Sequence, residues 1–452
     1  MMCYAMWVTL VFFLLLLGNN FDKSILLFPY FLEGSFCSES LITFQESRSW
    51  STEACCTDPH LKTCLNIEIN PELVEKNDDL NILGIELSHS NTVPPYGHNY
   101  KSTGGDEAVI SYNPRTKNIF GNFKTLDGKS YSIEKCQNSH VLKEYDVSSF
   151  KPDRAITIDK PSLNHIHAKS DDNTTVVTYT VMFYYTKDFA AVTADIPGFI
   201  DQLIAETNQG YINSNIPLRI ATFCIEQATV NDVADSGELL TAFANMKGSS
   251  FALRNTADAA ALLCHKFSSC GIAYLGTFSS GWTVSVTQKS CALGYYSFGH
   301  EIGHNYGAHH NPEVSSNTQF PFGHGHLIAQ GTASTGRRSI LAYNAKNHGL
   351  RVNYYSNPHV ILPETGTPTG VAGVSNNAAV FIQNRYTFAS LGDESAVCND
   401  GSSPTTSTSS SPPPSTVSCG NCVFSFMYCG RIYDRYGMIQ TLLIIGALVC
   451  LC

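Results

Sequence analysis

Eleven consecutive residues constrain this chain more than any others: His300-Glu301-Ile302-Gly303-His304-Asn305-Tyr306-Gly307-Ala308-His309-His310, which reads H-E-x-x-H-x-x-G-x-x-H. Residues four apart on an α-helix lie one turn above each other, so His300 and His304 present two imidazoles on one face, about 6 Å apart along the axis. Phe298 and Ile302 fall roughly 200° round the helix from His300, which gives the opposite face an apolar surface to bury. Gly307 is where the helix can stop, because glycine enters the left-handed conformation cheaply, and the chain can then turn back to supply a third imidazole from His310. Three imidazoles placed in this way can hold one zinc ion and leave a fourth position for water, with Glu301 beside them and not a ligand. At this chain's own frequencies of His, Glu and Gly, the full pattern would arise by chance in roughly one such chain in twenty thousand.

The flanking sequence predicts a layered fold. Residues 176–185 alternate as a strand, 192–210 carry apolar side chains at helical spacing, and 218–224 are again strand-like. Strand, helix, strand in that order indicates an α/β architecture. Further strands are expected at 259–263, 271–275 and 282–287, and a helix at 295–306. Upstream, from about 37 to 169, short alternations at 108–112, 119–124 and 130–135 are separated by Asn113-Pro114 and Asp127-Gly128. That pattern predicts a β-meander. The polar run 169–175 separates the two regions and contains the N-glycosylation acceptor Asn173-Thr174-Thr175.

The long motif, with the run Gly303-His304-Asn305-Tyr306-Gly307-Ala308-His309-His310 and the upstream Gly271-Ile272-Ala273-Tyr274-Leu275, resembles the metzincin zinc endopeptidases, and within them the reprolysin (adamalysin) group. The resemblance covers roughly 176–395. It implies a metzincin-type α/β catalytic domain with a mixed, mainly parallel sheet and a zinc-binding helix, preceded by a β-rich pro-region. It also implies Zn2+ held by His300, His304 and His310, Glu301 as general base, and 271–275 as the edge strand along which a polypeptide substrate lies. Two positions depart from the family pattern. Leu341 stands where a methionine normally floors the metal, a swap of similar volume, and Asn311 follows the last histidine where Asp is usual. Tyr343 resembles the tyrosine that other metzincins hold near the zinc and is a candidate catalytic residue; an ordinary packed tyrosine is the other reading. The segment 351–358 resembles the wall of the pocket for the residue after the scissile bond. His324 and His326 lack helical i, i+4 geometry and are not expected to form a second metal site.

The sixteen cysteines suggest an oxidising compartment. Five of them, Cys37, Cys55, Cys56, Cys64 and Cys136, lie in the pro-region, an odd number. Cys136 is therefore either a thiolate ligand that fills the open metal position and keeps the enzyme latent, or a partner in a disulfide. Cys270 with Cys291 is the favoured catalytic-region disulfide, and Cys224 with Cys264 a second. Too few cysteines follow for a disintegrin module. The apolar run 7–17 has the length of a secretory signal, placing a signal peptide at 1–18 with its end as late as 35. The expected order is then pro-region 36–172, protease domain 173–397, a Ser/Thr/Pro-rich stalk at 398–418, and a cysteine-containing segment with an apolar tail at 419–452. The tail, 438–452, is short for a membrane span, and with Ser418-Cys419-Gly420 before it has the layout of a glycolipid-anchor signal. An excess of 38 acidic over 28 basic side chains, net charge −10, argues against a nucleic-acid partner. The expectation is a monomeric zinc endopeptidase, secreted or held at the outer cell surface, made as a zymogen. The rival is a catalytically silent, zinc-binding surface protein that uses the cleft for adhesion, against which Glu301 speaks.

Overall fold

In the N-terminal third, short polar-punctuated alternations give one antiparallel sheet of nine strands, β1 (Ile42–Phe44), β2 (Leu61–Ile69), β3 (Leu80–Ile82), β4 (Ile85–Val93), β5 (Gly97–Lys101), β6 (Glu107–Asn113), β7 (Asn118–Lys124), β8 (Ser130–Cys136) and β9 (Ser139–Tyr145), in the order β1-β2-β9-β8-β7-β6-β5-β4-β3. The expected meander is its centre, and Gly128, in the turn between β7 and β8, has φ +89°. The computed structural model describes residues 40–44, 51, 53–157, 174–246, 257–276, 282–316, 319–332, 335–343, 349–393 and 398, and separately a hairpin of Arg431–Tyr433 with Ile439–Thr441. The signal peptide, Asn173, the stalk from 399 to 418 and the apolar tail 442–452 lie outside those residues. No helix among the described residues is long and apolar enough to cross a membrane.

The second region is a six-stranded sheet in the order β10-β14-β15-β13-β11-β12, from β10 (Arg154–Ile156), β11 (Val177–Tyr185), β12 (Leu218–Gln227), β13 (Ala259–Cys264), β14 (Gly271–Tyr274) and β15 (Val284–Gln288). β11, β12, β13 and β15 run parallel and β14 runs antiparallel to β15, so the sheet is mixed and mainly parallel, as expected. Alternate side chains of β11 enter opposite cores: Val181 and Phe183 pack with Phe298, Ile302 and Leu341, whereas Met182 and Tyr184 pack with Leu240, Phe243 and Leu262. A sheet covered on both faces needs apolar residues on both, hence the run Val-Met-Phe-Tyr.

The helix expected at 192–210 is Ile196–Asn213. The Asp195 carboxylate accepts from the Gly198 N–H, and Pro197 occupies the first turn where its missing N–H costs nothing. This helix is buried from both sides. Gln202 donates to Val109 O at 2.7 Å and to Asn122 Oδ1 at 2.6 Å on the nine-stranded sheet, while Phe199, Leu203 and Ile204 join the α/β core. A Cβ on Gly198 would collide with the Phe120 ring, so only glycine lets sheet and helix meet there. A buried Glu134 on β8 accepts from Lys143 and from Lys289 of the α/β region, both at 2.7 Å. The described parts of the β-rich and α/β regions thus pack into one folded unit.

Two cysteine expectations need correction. Cys136 forms a disulfide with Cys55, next to Cys56–Cys64, so it has no thiolate to offer a metal. Strand β8 ends at Cys136, which meets Cys55 in the 54–56 turn. Cys224 pairs with Cys398 and not with Cys264, which is a buried free thiol. The Cys270–Cys291 bridge forms as expected.

Candidate metal centre

The histidine-bearing helix is Ser297–Asn305. Its position is fixed at the far end by Asn305, whose Nδ2 donates to Tyr274 O at 2.9 Å and Val284 O at 3.2 Å, tying it to β14 and β15. Gly307, at φ +93°, ends the helix in the left-handed conformation, where a Cβ would also meet the Phe320 ring at 2.8 Å. The turn brings His310 back to the pair. The three Nε2 atoms stand 3.0 Å apart for His300–His304, 3.0 Å for His304–His310 and 3.2 Å for His300–His310.

Each ring is aimed by its other nitrogen or by its backbone. His300 Nδ1 donates to Ile340 O and His304 Nδ1 to Ala308 O, both at 2.8 Å. A carbonyl can only accept, so both Nδ1 atoms carry the proton and both Nε2 lone pairs are free for a metal. His324 donates from Nδ1 to the His310 carbonyl at 2.8 Å, a positioning role, and neither His324 nor His326 joins a metal-holding group among the described residues. Burial, reinforced by neighbouring imidazoles, pushes His300 and His310 well below the ordinary histidine range; burial brings His304 down to about 4. The cluster is therefore neutral near pH 7, the form that binds a metal ion.

Glu301 is fully buried, and neither carboxylate oxygen has a hydrogen-bond partner within the protein. Burial first, and then the nearby Asp153, raise its pKa well above that of an ordinary carboxyl group. A buried carboxyl left without partners is costly, and its persistence marks a group kept for chemistry. Gly271, at the start of β14, makes room for it, since a Cβ there would strike Glu301 Oε1. Leu341 underlies the helix: a Cβ on Gly303 would meet its Cδ2 at 2.9 Å. It is fully buried in the same core as Phe298 and Ile302. Tyr343 lies over His310 with ring centroids 3.7 Å apart, and its N–H is fixed by Asn311 Oδ1 at 2.9 Å. Its hydroxyl donates to the backbone carbonyl of Asp153, so in this state it is engaged by the N-terminal region.

Sequence reasoning missed Asp153, and it placed Arg351 only as the first residue of the pocket-wall segment 351–358, with no partner. Arg351 donates from Nη2 to Asp153 Oδ2 at 2.7 Å, and the same oxygen lies 3.9 Å from His300 Nδ1. Asp153 immediately precedes β10, which pairs in parallel with β14 through Arg154–Ile272, Ala155–Ala273 and Ile156–Tyr274. The strand expected to be an open edge is consequently covered, because three residues of the upstream region supply its missing hydrogen-bonding partner.

A match to the model of metallo-peptidase family M12 spans residues 175–356, the stretch that holds all of these side chains except Asp153. A peptidyl-Asp metalloendopeptidase of Pseudomonas fragi is 32% identical over 155 residues, 34% of this chain and 84% of that protein. The chain belongs to metallo-peptidase family M12. Longer relatives are also named peptidyl-Asp metalloendopeptidases. The Stenotrophomonas maltophilia (strain K279a) protein is 32% identical over 284 residues, 59% of this chain and 66% of the relative. The Xanthomonas campestris pv. campestris protein is 28% identical over 284 residues, 58% of this chain and 65% of the relative. This M12 metallopeptidase therefore spans slightly less than two thirds of the length of those two curated relatives.

Proposed function

We propose that this chain is a zinc endopeptidase of the reprolysin-like metzincin type, made as a zymogen, and that it acts on polypeptides outside the cell after secretion or while tethered to the surface. The observation that carries the reading is the convergence of three neutral imidazoles beside a buried carboxyl without partners. Three nitrogens bound at about 2.0–2.1 Å around a tetrahedral zinc stand roughly 3.3 Å apart, close to the 3.0–3.2 Å separations here. His300, His304 and His310 would hold the ion, which when bound supplies an acidified water and a Lewis acid for a peptide carbonyl.

The chain's own residues do the rest. Glu301 Oε takes a proton from the attacking water and returns it to the leaving amine, and its oxygens are free for both transfers because neither is bonded within the protein. Ile340 O and Ala308 O keep two rings in the tautomer that presents Nε2. β14 offers backbone groups to an extended peptide whatever its side chains, and in the precursor β10 takes that place. Tyr343, released from Asp153 O once β10 leaves, would be free to donate near the cleaved bond. The curated relatives are named for peptidyl-Asp bonds, and a preference for bonds beside aspartate is proposed for this chain as well.

The purified, activated protein is expected to hold one zinc per chain and to cleave an unfolded polypeptide. Glu301→Ala should lower turnover by at least about a thousandfold while keeping the metal, measured by elemental analysis beside a peptide assay. Equal cleavage by wild type and variant would refute the mechanism.

A further inference from the structure

Arg351 holds a buried positive charge whose ion pair comes from outside the protease region. It is 2% exposed, its Nη1 donates to Tyr295 O at 2.9 Å, and its guanidinium lies 4.5 Å from the Tyr295 ring centre. Nε has no partner. Arg338, buried beside the same ring, donates to Tyr295 Oη and Ala342 O and also has an unpaired Nε. Two buried guanidinium groups thus surround Tyr295. Among the described residues the one ion pair Arg351 makes is with Asp153, 198 positions earlier in the chain. Asp153 is fully buried, its second oxygen has no partner, and one of its oxygens lies within 4.8 Å of a Glu301 oxygen and a His300 ring nitrogen.

We propose that Arg351 is the specificity-determining residue of this peptidase, binding the carboxylate side chain of an acidic substrate residue next to the bond to be cut, and that Asp153 occupies that subsite in the precursor. The assignment rests on the endopeptidase reading above and adds to it the residue that reads the substrate. Arg154, Ala155 and Ile156 are held on β14 through backbone pairing, which is indifferent to sequence, so the side chain this subsite reads is that of Asp153. Once β10 departs, Arg351 would be a buried guanidinium without an anion, a costly state that a substrate carboxylate restores. The same pocket would reject an asparagine, whose amide cannot neutralise the charge and would leave a buried donor facing donors. The Nη2 hydrogen bond at 2.7 Å is the charge-assisted geometry such a subsite requires.

The test uses the full chain activated by limited tryptic nicking and matched peptides with Asp, Glu, Asn or Ala at one position beside a common scissile bond. Wild type should cleave the Asp peptide at least about a hundredfold better than the Asn peptide in kcat/KM. Arg351→Gln should remove that advantage, so that the variant cleaves its Asp and Asn peptides within about threefold of each other, and Arg351→Lys should restore part of it. A preference for Asp that survives Arg351→Gln would overturn the assignment. If the variant does not fold, calorimetry on activated Glu301→Ala protein still reads the subsite: the hexapeptide Lys-Pro-Asp-Arg-Ala-Ile of residues 151–156 should bind at least about tenfold more tightly than its Asp153→Asn counterpart. Equal binding of the two would also overturn it. Failure of the endopeptidase reading looks different, as cleavage that does not depend on Glu301, and leaves the calorimetric comparison to decide the subsite.

Discussion

At the scale of single residues, the site is governed by small side chains as much as by the reactive ones. Gly271 has no side chain because the Glu301 carboxyl lies where a Cβ would be. Gly271→Ala should therefore push the carboxyl off its position and lower kcat by about a hundredfold or more, with zinc content unchanged, since none of the three imidazoles moves. A variant with full activity would show that Glu301 has another resting place. The reactive histidines were legible because their spacing is local: a single helical turn and one glycine stop relate all three. Asp153 was not legible, and Arg351 was legible only as the start of the pocket-wall segment 351–358, without its ion pair. Nothing in Lys151-Pro152-Asp153-Arg154 marks the carboxylate, and the arginine that pairs with it is 198 residues away. Tyr343 was singled out as a catalytic candidate with ordinary packing as its rival. Its ring does lie over His310, and its hydroxyl is spent on Asp153 O.

At the scale of elements, the period of the sequence carried most of the layout. The expected strand at 176–185 is Val177–Tyr185, that at 259–263 is Ala259–Cys264, and the helix expected at 295–306 is Ser297–Asn305, shortened because Tyr296 is left-handed at its start. What periodicity could not supply was the partner of each edge. β10 is three residues long, too short to show alternation, and its pairing with β14 is a long-range event. Cysteine pairing is non-local in the same way, and the 174-residue separation of Cys224 and Cys398 hid their bond. Closing so long a loop restricts the unfolded chain by about 4–5 kcal/mol in the entropic account. Cys398→Ser should accordingly lower the melting temperature by roughly 5–10 °C, read by calorimetry under oxidising conditions, and Cys264→Ser should leave it far less changed. Equal losses would mean that Cys264 holds the core by more than its volume.

At the scale of the whole molecule, the β-rich region and the α/β region are joined by buried charges that respond to pH in opposite directions. Glu134 loses hydration on burial, yet Lys143 and Lys289 hold it well below the ordinary carboxylate range. A depressed folded-state pKa gives stability that is present above about pH 4.5 and lost as pH falls through the folded value. Glu206, which accepts from Asn122 and from the Gly294 N–H at 2.7 Å, is raised to about 8 by burial, an effect that the Gly294 hydrogen bond and Lys124 only moderate. Here the folded state binds the extra proton, so stability declines as pH rises from about 4.5 to 8. Glu206→Gln keeps an acceptor without the charge. It should melt within a few degrees of wild type at pH 5 and above it at pH 8.5, in thermal melts of the full chain. A constant gap across that range would exclude Glu206 as the cause. The Cys224–Cys398 bridge has a mechanical consequence for the same assembly. Every proposed zinc-binding, proton-transferring and specificity residue lies between those two cysteines, whereas Asp153 and β10 lie outside them. Tension drawn along the chain from its ends would pass through the sulfur–sulfur bond and bypass the loop, so pulling could extend the N-terminal cover away from the cleft while the machinery inside the covalent ring stays slack.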